Sequence, residues 1–351
     1  MGKQKRKSPG KITSKDVAEL AGVSQSTVSR VLGSNEDAKG FISDETTKRV
    51  KQAAKELGYS PNPIARALRG QPTNLIGLVV REIADPFFAE LIEVLSIQIR
   101  NLGLNAVLGH AHSDPSQALK MAHVLDSRQC DGVIFIGDFR DDEKAIKSIM
   151  MENRPVVALC RGRSLYTLPT INVNNSIGIK MLIDHLISLG HTSFVFIDGG
   201  WFGDIHERRS FFLSEMAKYE GEFEYSWLQA SDNSAKGGYQ AMHEVSKMSQ
   251  KPTAVMASDD GMAIGLLKAA SDLGIYVPED ISVTGFDDIG SAAFTIPGLT
   301  TVKQPLEEMS KLALDHLLKL INMEAVPVHL EFTQITPKLI IRGSTGPRKE
   351  N

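Results

Sequence analysis

The chain has 351 residues, 42 % of them hydrophobic and 23 % charged, with a formal net charge of −3 and two cysteines. That length allows more than one domain, Cys130 and Cys160 are too few for a disulfide framework and fit a reducing cytosol, and no apolar run is long enough to cross a membrane. The Lys-rich start also lacks the apolar stretch of a secretory signal, so a cytoplasmic location is expected.

Charge is unevenly placed. Residues 1–70 hold 14 Lys/Arg against 7 Asp/Glu, a net of +7, which leaves −10 for residues 71–351. This is the footprint of a polyanion-binding module on an acidic body. Lys3, Lys5, Arg6, Lys7 and Lys11 form a basic tail, read either as a solvated end or as a source of non-specific phosphate attraction.

The first predicted elements are two short helices in DVAELAGVSQSTVSRVL, Asp16 to Leu32, hinged at Gly22. Val17, Leu20 and Ala21, and again Val28, Val31 and Leu32, follow helical spacing, so each segment offers an apolar face to the other. Thr13 or Ser14 can cap the first helix, Gly22 supplies its left-handed end, and Ser24 can cap the second. Gln25, Ser26, Ser29 and Arg30 are left on one outward stripe, with side chains suited to base edges and phosphates. Ser43 caps a third helix, 44–57, with Val50, Ala53, Ala54 and Leu57 inward and Gly58 as its stop. A short helix follows, with Asn62 as cap, Pro63 at its first position and Gly70 as terminator. Being so short, it is expected to order only against a partner.

The remaining residues alternate apolar runs with amphipathic stretches. Strands are predicted at Leu75 to Val80, Ala106 to Leu108, Val133 to Ile136, Val156 to Leu159, Phe194 to Ile197, Ala254 to Ala257 and Ile281 to Val283. Helices are predicted near 88–102, 116–128, 176–189, 207–219, 235–248, 261–273 and 306–322. This argues two doubly wound parallel sheets, which bind ligands beyond the carboxyl ends of their strands. Phe87 and Phe88, Arg208, Asp259 and Asp287 follow such ends. A phenyl ring can stack on a sugar or fill the core; Asp accepts from vicinal hydroxyls, and Arg offers a fixed donor fork. No Walker, GxSxG or HExxH motif is present, so an enzyme is not expected. His110 and His112 supply only two ligands, which do not make a metal site, and His191 after Gly190 reads as a helix-end residue satisfying a carbonyl or the helix dipole.

The motif Asp16-Val-Ala-x-x-Ala-Gly-Val-Ser-x-x-Thr-Val-Ser-Arg30, with Gly58-Tyr-x-Pro-Asn62 and Ala65-x-x-Leu68, resembles the LacI/GalR family of bacterial repressors. Pro86-Phe-Phe88, Gly190-His191, Gly238-Tyr239, the Val277 to Asp288 segment and Leu299-Thr-Thr-Val-x-Gln-Pro305 extend the resemblance over nearly the whole chain. It implies an α-helical helix-turn-helix N-terminal domain plus an α/β two-lobed, periplasmic-binding-protein-like effector domain with doubly wound parallel sheets. The expected boundaries are 1–60 for the headpiece, 61–72 for a hinge helix and linker, and 73–351 for the effector and dimerisation domain. Within the last, the N-lobe is expected at about 73–173 plus 302–329 and the C-lobe at about 174–300 plus 330–345.

By position, the resemblance places Gln25 and Ser26 at the operator-specificity pair and Thr27, Ser29 and Arg30 at supporting contacts. Ser14 and Ser24 are further candidate DNA contacts. Asn62, Ala65, Leu68 and Arg69 match a hinge helix that enters the minor groove, with Leu68 as the wedge that kinks the duplex. Gly33 stands where the family usually has Asn, and Ser34 to Phe41 is a longer loop than usual. In the cleft, Arg208 and Asp287 match the family's most regular effector contacts. Cys160, next to the candidate Arg161, stands where many members have Asp; Asn174 replaces a frequent Asp, Asp259 a usual Asn, and Asn233 an aromatic ring found in some. Trp201 and Asp204 could reach the cleft mouth, but an exposed loop is the preferred reading.

The expected function is thus a homodimer on double-stranded, pseudo-palindromic operator DNA, switched by a small-molecule effector. A sugar-like inducer is preferred, a purine-like co-repressor is the second reading, and a solute-binding protein is a third. No cofactor, metal or membrane partner is expected, and no terminal heptads support a tetramer.

Overall fold

The computed structural model describes residues 12–32, 42–59, 72–127, 130–138, 155–162, 168–200, 203–219, 221–324 and 332–349. The chain divides into two units, one ending at Asn74 and the other starting at Leu75.

In the first unit, helices α1 (Ser14–Ala21), α2 (Gln25–Val31) and α3 (Asp44–Glu56) enclose Val17, Ala18, Ala21, Val28, Val31, Val50, Ala53 and Ala54. Thr13 caps α1: its backbone N–H and its hydroxyl both donate to the Asp16 carboxylate at 2.7 Å. The Thr13 hydroxyl bond holds Asp16 below the usual carboxylate range. Gly22 (φ 65°, ψ 42°) makes the left-handed end that lets α2 turn back. Ser24 accepts from the Thr27 N–H at 3.2 Å and Ser43 from the Thr46 N–H at 3.3 Å, so α2 and α3 both begin on serine caps. One expectation is corrected. Leu20 is 50 % exposed, and Ala18 takes its place inside. With 3.6 residues per turn, a face made by Val17, Ala21 and Ala18 leaves Leu20 roughly 60° beyond its edge.

The second unit contains β1 (Leu75–Val80), α4 (Pro86–Asn101), β2 (Asn105–His110), α5 (Pro115–Ser127), β3 (Gly132–Ile136), β4 (Val156–Leu159) and β5 (Thr170–Val173). There follow α6 (Asn175–Ser188), β6 (Ser193–Asp198), α7 (Gly203–Met216), β7 (Glu224–Gln229), α8 (Ala235–Lys247), β8 (Ala254–Ala257), α9 (Asp260–Asp272) and β9 (Ser282–Thr284). The unit ends with β10 (Thr301–Lys303), α10 (Leu306–Ile321), β11 (Phe332–Ile335) and β12 (Lys338–Ile340).

One sheet has the order β2-β1-β3-β4-β5-β11 and the other β7-β6-β8-β9. All pairs within both are parallel. The inner strands β1, β3, β4, β6 and β8 are near-continuous apolar runs because helices cover both faces. Both orders reverse direction after the first strand, between β1 and β3 and between β6 and β8. Those switch points are where an open α/β sheet leaves a crevice at its carboxyl edge.

Three segments join the lobes: β5 to α6, β9 through β10 to α10, and β11 to β12. β10 and β12 pair with each other in an antiparallel ribbon. Helix α10 returns to the first lobe, where a Cβ on Gly132 would stand 2.8 Å from Leu317. The C-lobe boundary expected at 330 is corrected: β11 aligns with β5 from Phe332–Thr170 to Ile335–Val173 and so belongs to the first sheet. The crossing falls after Ile335. A parallel edge partner for β5 leaves this strand no place in the second lobe.

Candidate functional site

The outer surface of α2 is polar because its apolar residues are committed to the core. Val28 and Val31 are buried, while Gln25, Ser26, Ser29 and Arg30 are exposed and Thr27 is half-buried. The Ser24 oxygen lies 2.7 Å from that of Ser26 and 2.9 Å from that of Thr27. Ser24 is thus occupied as a cap, and Ser14 is half-buried at the first position of α1. The candidates Asn62, Ala65, Leu68 and Arg69 lie outside the described residues.

The carboxyl edges of the two sheets assemble the second group. Arg81 follows β1, Asp138 follows β3, Cys160 and Arg161 follow β4, and Asn174 follows β5. From the other lobe come Asp204 and Arg208 on α7, Ser258 and Asp259 after β8, and Asp287 after β9. Contacts across the cleft hold it closed. Arg81 Nη1 is 3.4 Å from Asp204 Oδ1, and the Gly290 N–H donates to Glu90 Oε1 at 2.7 Å. Gly203 packs so near Asp138 that a Cβ there would meet Oδ2 at 2.0 Å.

Arg208 organises the centre. It is 2 % exposed; Nε donates to Asn175 Oδ1 at 3.0 Å, Nη1 to the Ser258 carbonyl at 2.7 Å and Nη2 to Asp287 Oδ1 at 3.1 Å. Its guanidinium lies 3.8 Å from the centre of the Phe286 ring, a cation–π contact. Gln304 Nε2 also donates to Asp287 Oδ1, at 2.6 Å. Asp287 holds φ 112°, a backbone state that L-residues rarely adopt, with its N–H bonded to the Val302 carbonyl at 2.7 Å. Since Asn175 opens α6 and Gln304 follows β10, the network reaches two of the three crossing segments.

Around it, Asp259 caps α9 by accepting from the Met262 N–H at 2.8 Å and also accepts from Asn233 Nδ2. Asn233 in turn accepts from the Ser258 hydroxyl at 3.0 Å. Asp85 caps α4 through the Phe87 N–H at 2.9 Å. Asp138 accepts from the Gly162 N–H at 3.1 Å and faces Arg161 Nε at 3.3 Å. Burial pushes Asp85 up to about 6, with repulsion from Asp259 adding to it, and Asp138 up to about 7, with repulsion from Asp204. Burial raises Asp259 too. Cys160, at φ 54°, is buried, and burial pushes its thiol well up, so it presents a neutral S–H.

Some candidates sit differently from expectation. Phe87 and Phe88 both belong to the core, edge to face at 5.4 Å between ring centres, and the Phe88 ring carries the Arg81 guanidinium at 4.6 Å. Asn174 caps α6 by accepting from the Ile177 N–H at 3.1 Å, so its side-chain oxygen is engaged at the crossing. Asp204, read from sequence as part of an exposed loop, is buried in the cleft; it opens α7, whose start at Gly203 precedes the predicted 207. Sequence reading missed Arg81, Asp85, Asp138, Asn175 and Gln304. All stand just after or near a strand end; Arg81, Asp85 and Asp138 follow predicted strands, the signal that could have found them, whereas Asn175 and Gln304 follow β5 and β10, which the sequence does not announce. The His110 and His112 ring centres lie 3.7 Å apart with the planes tilted by 36°, His110 Nε2 is 3.1 Å from Glu82 Oε1, and His191 Nε2 bonds the Gly346 carbonyl at 3.1 Å. Among the described residues no group of three or more His, Cys, Asp or Glu could hold a metal ion, and no helix is long and apolar enough to cross a membrane.

A helix-turn-helix with an exposed polar helix, joined in one chain to a two-lobed α/β cleft, defines a DNA-binding regulator. Residues 13–62 match the model of the lacI family of bacterial regulatory proteins, and residues 183–345 match that of a periplasmic binding protein-like domain. The chain is 32 % identical over 344 residues to the HTH-type transcriptional repressor PurR of Erwinia tasmaniensis, covering 96 % of this chain and 98 % of that one. Among solved structures it is similar to the lac repressor dimer bound to operator and an anti-inducer (TM-score 0.81, 27 % identity, 95 % and 99 % of the two chains covered). It is also similar to a transcriptional regulator CelR–cellobiose complex (TM-score 0.69, 27 % identity, 95 % and 100 % covered). The chain belongs to the lacI family of bacterial regulatory proteins and is a transcriptional repressor of that family.

Proposed function

We propose that this repressor binds a pseudo-palindromic double-stranded operator as a homodimer and releases it when a sugar-like molecule occupies the cleft between the lobes. The observation that carries the proposal is the Arg208 network. A ligand touching Arg208 or Asp287 acts on groups bonded to Asn175 and Gln304, which sit on two of the three segments that join the lobes. Occupancy therefore biases lobe orientation, and a ligand shifts operator affinity only through its different affinity for the two orientations.

On DNA, Gln25 and Ser26 read base edges, Thr27, Ser29 and Arg30 fix the helix on base and backbone, and Leu68 with Asn62, Ala65 and Arg69 couples the lobes to the minor groove. In the cleft, Arg208, Asp287, Asp259 and Asn233 meet the ligand, with Arg161 and the neutral Cys160 beside them. Phe88 supports Arg81 from below. A second copy of the chain covers Phe294 and Ile296, which are 86 % and 95 % exposed, consistent with a two-fold protein on a two-fold operator.

The cellobiose complex of a similar regulator supports a carbohydrate as ligand class. A purine-like co-repressor is the competing outcome. A thermal-shift screen of the full chain with sugars, sugar acids and nucleobases tests the choice, since a ligand at about 100 times its Kd stabilises by about 2.7 kcal/mol. A shift with nucleobases alone would replace the sugar reading.

A further inference from the structure

We infer that the effector is a cation: a hydroxyl-rich molecule carrying an ammonium group, seated between Asp85 of one lobe and Asp259 of the other, and not a sugar acid or a phosphate ester. The inference rests on the reading that this cleft is the effector site.

Charge is the first ground. Six carboxylates, Asp85, Asp138, Asp204, Glu207, Asp259 and Asp287, meet three guanidinium groups at the cleft. Each guanidinium faces its own carboxylate: Arg81 with Asp204 at 3.4 Å, Arg161 with Asp138 at 3.3 Å and Arg208 with Asp287 at 3.1 Å. Glu207 accepts from Asn175 Nδ2 at 3.0 Å, and Asp85 and Asp259 have only longer-range attraction, from Arg81 and Arg208 in turn. Among the described residues no cation lies within salt-bridge distance of either, and they repel each other across the closed cleft. Each is placed by its role as a helix cap, one on α4 and one on α9, so neither can withdraw without uncapping its helix.

Hydrogen-bonding capacity is the second and independent ground. Gln304 is 3 % exposed, and while its Nε2 donates to Asp287, its Oε1 is a buried acceptor with no partner. A buried acceptor left unpaired is costly, so a donor is wanted beside Asp287 as well. Arg208 meanwhile has three of its N–H groups engaged within the protein. The cleft's carboxylates therefore outnumber its guanidinium groups, and one buried acceptor stands open beside Asp287. An ammonium group supplies three N–H donors and one positive charge, and neighbouring hydroxyls supply the rest. An anion would add acceptors and charge of the sign already in excess.

The test is isothermal titration of the full chain with matched series: neutral hexoses, the corresponding 2-amino sugars, the hexuronates and the hexose 6-phosphates. Polyamines and nucleosides serve as non-carbohydrate arms. The expected result is an amino sugar binding at least about tenfold tighter than its neutral parent, or about 1.4 kcal/mol, with both acids weaker still. Asp259→Asn, which keeps a capping side chain, is expected to shrink the amine-to-neutral ratio toward one. Equal or tighter binding of neutral or anionic members overturns the inference, as does silence across the whole panel. If every carbohydrate fails while a polyamine or an amine-bearing nucleoside binds, the carbohydrate reading falls and the cationic one stands.

Discussion

Arg208 Nη2 and Asp287 Oδ1 meet at 3.1 Å in the buried heart of the second unit, with the guanidinium lying over Phe286. The pair joins α7 to the end of β9 and, through Asn175 and Gln304, to two of the segments that join the lobes. It is a structural element as well as the proposed binding one, which governs how its variants behave.

Asp287→Ala is expected to cost about 3 to 5 kcal/mol of stability, because it leaves a buried guanidinium without its carboxylate. Adding Arg208→Met should recover part of that loss. Urea denaturation of both variants checks the order; a double variant less stable than Asp287→Ala would deny the pair its coupling.

Acidity should act through the cleft carboxylates. Asp85 and Asp138, pushed from 3.8 to about 6 and about 7, hold protons in the closed fold that the unfolded chain gives up. Their contribution is therefore fully present below about pH 4 and lost as pH rises through about 7. Asp138→Asn, which cannot lose a proton, should gain in Tm relative to wild type between pH 4.5 and 7.5. A difference that is flat or falls with pH would contradict the assignment.

On the DNA side, Arg30→Ala should weaken operator binding and Gln25→Ala should relax base choice, each by roughly 1 to 3 kcal/mol if a base-edge contact is lost. Binding-site selection followed by footprinting separates the two effects. Unchanged footprints and sequence preference in both variants would remove α2 from the reading role.

Ile296→Asp, placed on a side chain 95 % exposed, should leave the fold intact and yield a monomer by light scattering at micromolar concentration. A dimer of unchanged strength would move the interface elsewhere.

Much of this architecture is legible in the sequence where one physical signal dominates. Gly22, Ser24 and Ser43 fix helix ends by local chemistry, and buried runs such as Val156 to Leu159 announce strands through apolarity alone. The strands that sequence reading missed lack that signal. β5 buries Thr170 and Asn172, β7 is an edge strand with Tyr225 and Trp227 exposed, and β10, β11 and β12 are three or four residues long with meaning only through their partners. The same limit applies to the cleft. Arg208 and Asp287 stand out by position after a loop and a strand, whereas Gln304 acquires its role only because β10 carries it back beside Asp287. Whether Phe88 faces a ligand or an arginine depends on how the chain closes over it.

The central claim, a repressor switched through this cleft, is tested most directly by fluorescence anisotropy. An operator recovered by selection on the full chain is titrated with and without the tightest-binding sugar, using wild type and Asp287→Asn. The expected result is a loss of operator affinity of about tenfold or more on adding the sugar to wild type, a coupling of about 1.4 kcal/mol, and little change in the variant. A sugar that saturates the wild-type protein while leaving its operator affinity unchanged would contradict the account.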